Sequence, residues 1–106
     1  MVSMAQIQEL SRQIAQEFNP VKIVLFGSHA GGSPDSDSDV DLLVVLPHEG
    51  KNWRMAATIR GAVRAGFPLD LLVRRPEEME RRIAGGDPFL RALEETGELL
   101  YESHYP

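Results

Sequence analysis

The sequence contains no cysteine, no long apolar run and fewer positive than negative charges. Without cysteine the chain can form neither a disulfide nor a thiolate metal site. The same absence fits a cytosolic protein, so we expect a cytoplasmic location. No apolar run approaches the roughly 20 residues of a membrane-spanning helix. The N-terminus lacks a basic region followed by an apolar block, so we expect neither a signal peptide nor a membrane partner.

The charge is unevenly distributed along the chain. Eleven basic residues and sixteen acidic residues give a formal net charge of −5, which argues against nucleic-acid binding through charge alone. Residues 51–82 nevertheless carry eight basic and four acidic side chains. Two interpretations stay open for this segment. It forms solvated helix faces, which we favour, or it forms a basic surface that meets phosphates or an acidic partner.

The length and the hydrophobic pattern predict one small mixed domain. A chain of 106 residues can bury one modest core, so residues 1–106 are expected to form a single domain. Apolar residues recur at helical spacing in two segments, 3–18 and 52–66. In the second segment this spacing places four residues on one side of the helix, Trp53, Ala56, Ile59 and Val63. Trp53 is expected to lie in the core or at an interface.

Apolar, β-branched segments supply the predicted strands. These segments cover residues 21–27, 39–46, 67–73 and 98–102. Pro76 and Pro88 each suit the first turn of a further helix. The order of helices and strands predicts an α/β or α+β domain in which helices flank a small mixed β-sheet.

Asp39 and Asp41 lie at the start of a predicted strand, two positions apart. Side chains at this spacing point to the same face, with their Cα atoms roughly 7 Å apart. Two converging carboxylates repel each other unless a positive charge lies between them. A hard divalent cation such as Mg²⁺ supplies that charge. The alternative is that both aspartates belong to a polar turn at the strand start.

Asp70 lies within another predicted strand, between Leu69 and Leu71. Burial of an unpaired carboxylate there would be costly, so we expect Asp70 to have a positive partner. Arg74 or Arg75 would give a structural ion pair. A metal ion shared with the other two aspartates would serve equally well, and would assemble three carboxylates from two strands.

The segment between the first two strands begins with Gly27 and Ser28. A glycine lets a phosphate approach the backbone closely, and the start of a helical turn at Ser28 would favour an anion. The segment is not a P-loop, because no Gly-Lys-Ser/Thr follows at the required spacing. Ten residues separate Ser28 from Asp39. The combination of Gly-Ser, this spacing, Asp-x-Asp and a later aspartate is far more specific than Gly-Ser alone.

This combination resembles the minimal nucleotidyltransferases, or MNT domains, of the DNA polymerase β-like superfamily. The matching positions are Gly27, Ser28, Ala30, Gly32, Ser38, Asp39, Asp41 and Leu42, with Asp70 at the third carboxylate. The resemblance implies the polymerase β-like nucleotidyltransferase fold. It also implies transfer of a nucleoside monophosphate from ATP or another NTP to an acceptor, with release of pyrophosphate.

The resemblance also implies roles for individual residues. Asp39, Asp41 and Asp70 would be the catalytic residues and would hold two Mg²⁺ ions, and Asp70 would also accept the proton of the acceptor. Gly27 and Ser28 would bind the β- and γ-phosphates.

The sequence departs from the family pattern at two loop positions. Many relatives carry arginine where this chain has His29 and Gly31. A local cation that could neutralise triphosphate charge is therefore missing, which places nucleotide affinity in question. His29 would replace such a cation only in part, because a neutral imidazole binds phosphate poorly at pH 7.

The resemblance further implies a partner. MNT proteins commonly pair with a small helical HEPN protein as antitoxin and toxin, and characterised members adenylylate a tyrosine of the toxin. We therefore expect AMP transfer from ATP to a HEPN partner. Two other hypotheses stay open, a binding module that neutralises its partner by contact alone and a structural metal-binding domain. Nucleotide preference, acceptor and oligomeric state do not follow from the sequence.

Overall fold

Five helices and four strands make up the part of the chain that the computed structural model describes, residues 1–31 and 38–104. No helix within these residues is both long and apolar enough to cross a membrane. The elements follow one another as α1 (Met4–Phe18), β1 (Lys22–Phe26), α2 (Ser28–Gly31), β2 (Val40–Val45), α3 (Asn52–Ala62), β3 (Leu69–Arg74), α4 (Pro76–Ala84), α5 (Pro88–Thr96) and β4 (Glu98–Glu102).

Helix α1 begins and ends where its sequence predicts. The Ser3 hydroxyl accepts a hydrogen bond from the backbone N–H of Gln6 at 3.2 Å, and the Gln6 side chain accepts one from the Ser3 N–H at 2.8 Å. This reciprocal capping box satisfies two N–H groups that the helix itself cannot pair. At the other end Asn19 adopts the left-handed conformation with φ 48°. The chain then enters β1 through Pro20.

The four strands form one mixed sheet in the order β3-β2-β1-β4. Strand β1 pairs antiparallel with both β2 and β4, whereas β2 and β3 run parallel and are joined through α3. A parallel pair needs such a crossover connection, and a helix is its usual form. The mixed sheet and flanking helices confirm the fold class predicted from the sequence.

Helices cover both faces of the sheet and create two apolar layers. The larger layer lies between the sheet and helices α1 and α3, and contains Ile7, Leu10, Ile14, Leu42, Val44 and Ile59 among others. The smaller layer lies under α4 and α5 and consists of Val24, Leu43, Val45, Met79, Leu90 and Leu93. Strand β2 contributes alternate residues to each layer, as the two-residue period of a strand requires. Its last four residues are therefore all buried.

Two features of the third helix differ from the sequence-based expectation. Helix α3 ends at Ala62 rather than at residue 66, and strand β3 begins at Leu69. Ala56, Ile59 and Val63 are buried as predicted, but the side chain of Trp53 is 66% exposed. Its ring contacts the guanidinium of Arg54 at 5.3 Å instead of the core. The core position expected for Trp53 was therefore wrong, and an interface position stays a prediction.

Glu78 is a buried carboxylate that links three elements at the end of the sheet opposite Asp41 and Asp70. Its carboxylate accepts a hydrogen bond from the Asn52 amide of α3 at 2.9 Å, and it lies 3.4 Å from Arg82 and 3.8 Å from Arg74. Burial raises the pKa of Glu78, but these partners and the Arg75 backbone N–H outweigh it, so the net pKa is lowered. The ionised form is therefore the one that the fold stabilises.

Candidate active site

Asp41 and Asp70 lie side by side at one end of the sheet. They are direct partners in the parallel register of β2 and β3, so their side chains project from the same face about one strand spacing apart. This face is the one that carries Leu43 and Leu72, which pack in the smaller apolar layer. The structure thus brings together two of the three carboxylates that the sequence singled out.

Asp70 is exposed, because β3 is the edge strand of the sheet. The premise that Asp70 is buried was wrong, whereas a metal ion as its positive partner stays a prediction. Neither arginine that could have paired with it does so. Arg74 lies 3.8 Å from Glu78, and Arg75 donates hydrogen bonds to the carbonyl oxygens of His48 and Gly50. Asp70 is therefore not held in a structural ion pair with either residue.

The carboxyl group of Asp41 is half-buried and electrostatically crowded. Partial burial raises the pKa of Asp41, the negative charges of Asp70 and Asp39 raise it further, and the hydrogen bond with Asp70 acts in the same direction. Among the described residues, only His29 opposes this shift, and its effect is smaller. The described residues therefore place negative charge at Asp41 without an equivalent positive charge, which is the situation that a bound cation relieves.

Asp39 lies one residue before β2 and is exposed. Its charge acts on Asp41, so it belongs to the same electrostatic cluster. Within residues 1–31 and 38–104, no three His, Asp or Glu side chains are arranged as a ready-made metal site. The donor chemistry still suits a hard cation, because only carboxylate oxygens are offered. The three-carboxylate metal site stays a prediction, with Asp41 and Asp70 as its assembled part.

Gly27 lies immediately beside the side chain of Asp41. Its φ of +76° is a conformation that side-chain-bearing residues rarely adopt, and a Cβ at this position would overlap Oδ2 of Asp41. The sequence suggested a different reason for this glycine, the close approach of a phosphate. The structure adds a second reason, since the carboxylate needs the room that the missing Cβ leaves. Both reasons concern the same feature of the sequence, a glycine at the end of a strand.

A short helix follows Gly27 directly. Helix α2 begins at Ser28, and the Gly27 carbonyl accepts hydrogen bonds from the N–H groups of Ala30 and Gly31 at 3.1 and 3.0 Å. The sequence predicted an irregular segment from 28 to 38 and left open whether a helical turn starts at Ser28. The turn is present, and residues 32–37, which include Gly32, lie outside the described residues.

The sequence suggested at most a partial role for His29 as a cation, and the structure gives it two contacts. Its Nε2 lies 3.2 Å from the carbonyl oxygen of Ser38, and its charge acts on Asp41. The first contact joins α2 to the residue that precedes Asp39. Sequence reasoning missed this link because residues nine positions apart in a loop carry no periodicity that reports their contact.

The chain matches a known protein family over nearly its full length. Residues 7–100 match the family model described as a nucleotidyltransferase domain. No curated protein sequence is significantly similar to the chain.

Several solved structures have the same fold as this chain. A protein from Sulfolobus solfataricus assigned as a nucleotidyltransferase superposes with a TM-score of 0.64 at 20% identity, over 92% of this chain and 78% of that one. A toxin–antitoxin crystallised with AMP-PNP gives 0.53 at 17% identity, over 92% and 74%. A mutant of the toxin–antitoxin MntA-HpeT gives 0.51 at 16% identity, over 97% and 76%.

Proposed function

This chain belongs to the nucleotidyltransferase domain family, and we propose from that premise that it transfers AMP from ATP to a hydroxyl group of a partner protein. The acceptor oxygen forms a bond to the α-phosphorus, and the bond from that phosphorus to the bridging oxygen of the β-phosphate breaks. Pyrophosphate leaves with the electron pair. The observation that carries the proposal is the pairing of Asp41 with Asp70 beside Gly27.

The three carboxylates have proposed roles in metal binding and proton transfer. Asp39, Asp41 and Asp70 would hold two Mg²⁺ ions, which, when bound, neutralise triphosphate charge and make the acceptor hydroxyl more acidic. The raised pKa of Asp41 supports this role, because among the described residues the effect of His29 does not outweigh burial and the neighbouring carboxylates. Asp70 is exposed on the edge strand, so it faces the side from which a protein acceptor arrives. We assign it the acceptor proton as general base.

Gly27 and Ser28 are the proposed phosphate-binding residues. They follow the last residue of β1, which is the antiparallel partner of Asp41, so they adjoin the carboxylates. The absent side chain of Gly27 leaves its backbone open to a phosphate, and the Ser28 hydroxyl is a hydrogen-bond donor. His29 is the one residue at the two departing loop positions that can carry positive charge, and it already acts on Asp41.

The partner proposed here is a helical HEPN-type toxin that supplies a tyrosine hydroxyl. Two of the fold neighbours are described as toxin–antitoxin structures, one of them with the ATP analogue AMP-PNP. The MntA-HpeT mutant carries glutamate in place of two aspartates that are two positions apart in its own chain. The same spacing relates Asp39 to Asp41. These likenesses support an antitoxin that acts on its toxin by nucleotide transfer.

A second function is an antitoxin that neutralises its partner by contact alone. The loop positions His29 and Gly31, which lack the family arginines, favour this alternative. The retained Asp39, Asp41 and Asp70 oppose it, because a pure binding protein has no need of them. Toxin neutralisation by the double variant Asp39→Asn/Asp41→Asn separates the two. Full neutralisation supports contact, and lost neutralisation with intact complex formation supports catalysis.

The direct test measures transfer of labelled nucleotide. The protein is incubated with Mg²⁺ and the product of the neighbouring open reading frame, with ATP labelled in either the α- or the γ-phosphate. We expect α-label and one AMP mass on a tyrosine of the partner, and no γ-label. Asp41→Asn should abolish transfer, whereas Glu17→Gln, an exposed carboxylate on α1, should not change it. Failure of the native protein to add AMP would contradict the proposal.

A further inference from the structure

A small groove opens beside the carboxylates, on the same end of the sheet. It has a volume of about 200 Å³. Its walls are the end of β1 and one face of α5, and it is lined by Phe26, Gly27, Phe89, Ala92, Leu93 and Thr96. None of these lining residues is charged. The groove therefore suits a flat apolar ring, and its lining offers no charged partner.

Helix α5 presents this wall because of its residue spacing. Phe89, Leu93 and Thr96 recur at helical intervals of four and three residues, so they share a face. Leu93 is 3% exposed and anchors the helix in the smaller apolar layer, whereas Phe89 is 53% exposed. The Asp87 side chain caps the helix through the Leu90 N–H at 3.1 Å. The position of Phe89 is thus fixed by the helix although half of its ring meets solvent.

The two phenylalanines form an aromatic corner. The ring of Phe89 meets that of Phe26 edge-on, with centroids 5.8 Å apart and an interplanar angle of 83°. This geometry is a favourable one for two rings. It leaves the exposed part of Phe89 available for a third ring. Nucleobases stack on such side chains irrespective of their hydrogen-bonding pattern, because every base has a π-face.

The corner adjoins the carboxylates through the strand register. Phe26 is the antiparallel partner of Asp41, and Asp41 is the parallel partner of Asp70. Directly paired residues project from the same face, so the three side chains form a row from β1 to β3. Gly27, which lines the groove, also borders the Asp41 carboxylate. A molecule bound at Asp41 therefore has the aromatic corner on one side and the exposed edge strand on the other.

We infer that this groove binds the nucleobase of the donor nucleotide, by stacking against Phe89. The inference rests on the proposed nucleotidyltransferase function. The donor is placed on the β1 side because Gly27 and Ser28, the proposed phosphate-binding residues, follow β1. The acceptor is placed on the Asp70 side, where the edge strand is open. The base and the acceptor ring thus occupy opposite ends of the row.

The test compares two ligands that differ in the base and sugar. Binding of ATP and of inorganic tripolyphosphate is measured in Mg²⁺ for the native protein and for Phe89→Ala. Loss of one stacking contact should weaken ATP binding about tenfold and leave tripolyphosphate binding unchanged. Phe89→Tyr should keep native ATP affinity. Leu99→Ala is the matched control, because Leu99 is 52% exposed and lies outside the groove, and it should change neither affinity.

A second variant protects the test against misfolding. Ala92→Leu fills the groove from an exposed position of α5 and should reduce ATP affinity without affecting tripolyphosphate. Unchanged ATP affinity in both Phe89→Ala and Ala92→Leu overturns the inference. An equal loss for both ligands also overturns it, because the defect then lies at the phosphates. A rise only in the KM for the acceptor overturns it as well, since the groove would then hold the acceptor ring.

The result also separates this inference from the proposed function. If the native protein transfers AMP and Phe89→Ala binds ATP as tightly as the native protein does, the proposed function stands and the base site is rejected. A native protein that binds tripolyphosphate and ATP equally tightly likewise has no base site. If the native protein neither binds ATP nor transfers AMP, both the proposed function and the base site are rejected.

Discussion

The Cα atom of Gly27 lies against the carboxylate of Asp41, so that a side chain at position 27 and the observed position of the carboxylate exclude each other. The contact joins the end of β1 to the start of β2, the two ends of the loop that contains α2. It ties the proposed phosphate-binding backbone to the proposed metal ligand. A change at either residue is therefore expected to move the other.

Gly27→Ala should displace the Asp41 carboxylate and reduce nucleotide transfer roughly 100-fold, the effect of misplacing a reacting group by about 1 Å. The positive φ of Gly27 adds about 1–2 kcal/mol of backbone strain. Transfer rate and thermal unfolding are the measurements. Gly31→Ala is the control, because a Cβ there meets no described residue within 4 Å. Equal effects of the two substitutions would show that the contact with Asp41 is unimportant.

Asp41→Asn should stabilise the metal-free protein at pH 7 while removing its response to Mg²⁺. The folded-state pKa of Asp41 is raised, so its favourable contribution is fully present below the unfolded value of about 3.9. That contribution is lost as the pH rises through the folded value. Asparagine removes the repelling charge, and so removes the penalty that the ionised group imposes at neutral pH.

The measurement is the melting temperature of native and Asp41→Asn protein at pH 4 and pH 7, with and without Mg²⁺. The gain of the variant should be larger at pH 7, and only the native protein should be stabilised by the metal. Glu17→Gln removes one exposed carboxylate from α1 and controls for net charge. A variant that is less stable than the native protein at pH 7 without metal would contradict the electrostatic account.

Glu78→Gln should destabilise the fold at neutral pH by about 1–3 kcal/mol, because a buried charge-assisted hydrogen-bond network loses its acceptor charge. The pKa of Glu78 is lowered by its partners. Its contribution is therefore present above the unfolded value of about 4.3 and is lost as the pH falls through the folded value.

Denaturant unfolding at pH 7 and at pH 3 tests this prediction. The native protein and Glu78→Gln should differ at pH 7 and converge on acidification. Glu77→Gln changes the adjacent, exposed carboxylate of the same helix turn and should stay within about 0.5 kcal/mol of the native protein. A constant difference at both pH values would show that the charge of Glu78 is not what the fold uses.

Gly61→Ala should stabilise the protein by about 0.5–1 kcal/mol, since glycine is a poor residue within a helix. Gly61 lies in α3, and a Cβ there would meet nothing within 4 Å. Gly97→Ala is the opposite case, because its Cβ would lie 2.6 Å from both the Leu93 carbonyl oxygen and Cγ1 of Val24. The melting temperature should rise for the first and fall for the second. A fall for Gly61→Ala would indicate a contact that the described residues do not supply.

Local signals predicted the elements well. The Ser3–Gln6 capping box needs only neighbouring residues, and it begins α1 as expected. The spacing from Ser28 to Asp39 likewise indicated that one loop carries both ends of the site. The geometry of the site could not be predicted from these local signals. Which strands are adjacent, and that Asp41 is paired in register with Asp70, is decided by the packing of the whole sheet rather than by either segment.

The same limit explains the incorrect predictions. Trp53 fits the apolar stripe of α3, but its side chain meets solvent. Asp70 sits among apolar neighbours, yet β3 is an edge strand and one side of it is open. Periodicity reports which face a residue occupies. It does not report whether another element covers that face.

The two apolar layers of the sheet give the protein separable regions for engineering. The layer under α1 and α3 holds most of the buried side chains and does not border the Asp41 face. Repacking there, or improving α3, can raise thermal tolerance while the carboxylates keep their places. The layer under α5 is small and contains the wall of the groove beside Phe26. Substitutions in that layer are expected to change thermal stability and ligand specificity together. Variants meant to accept new donors should therefore carry their changes on α5, and stabilising substitutions should be made in the layer under α1 and α3.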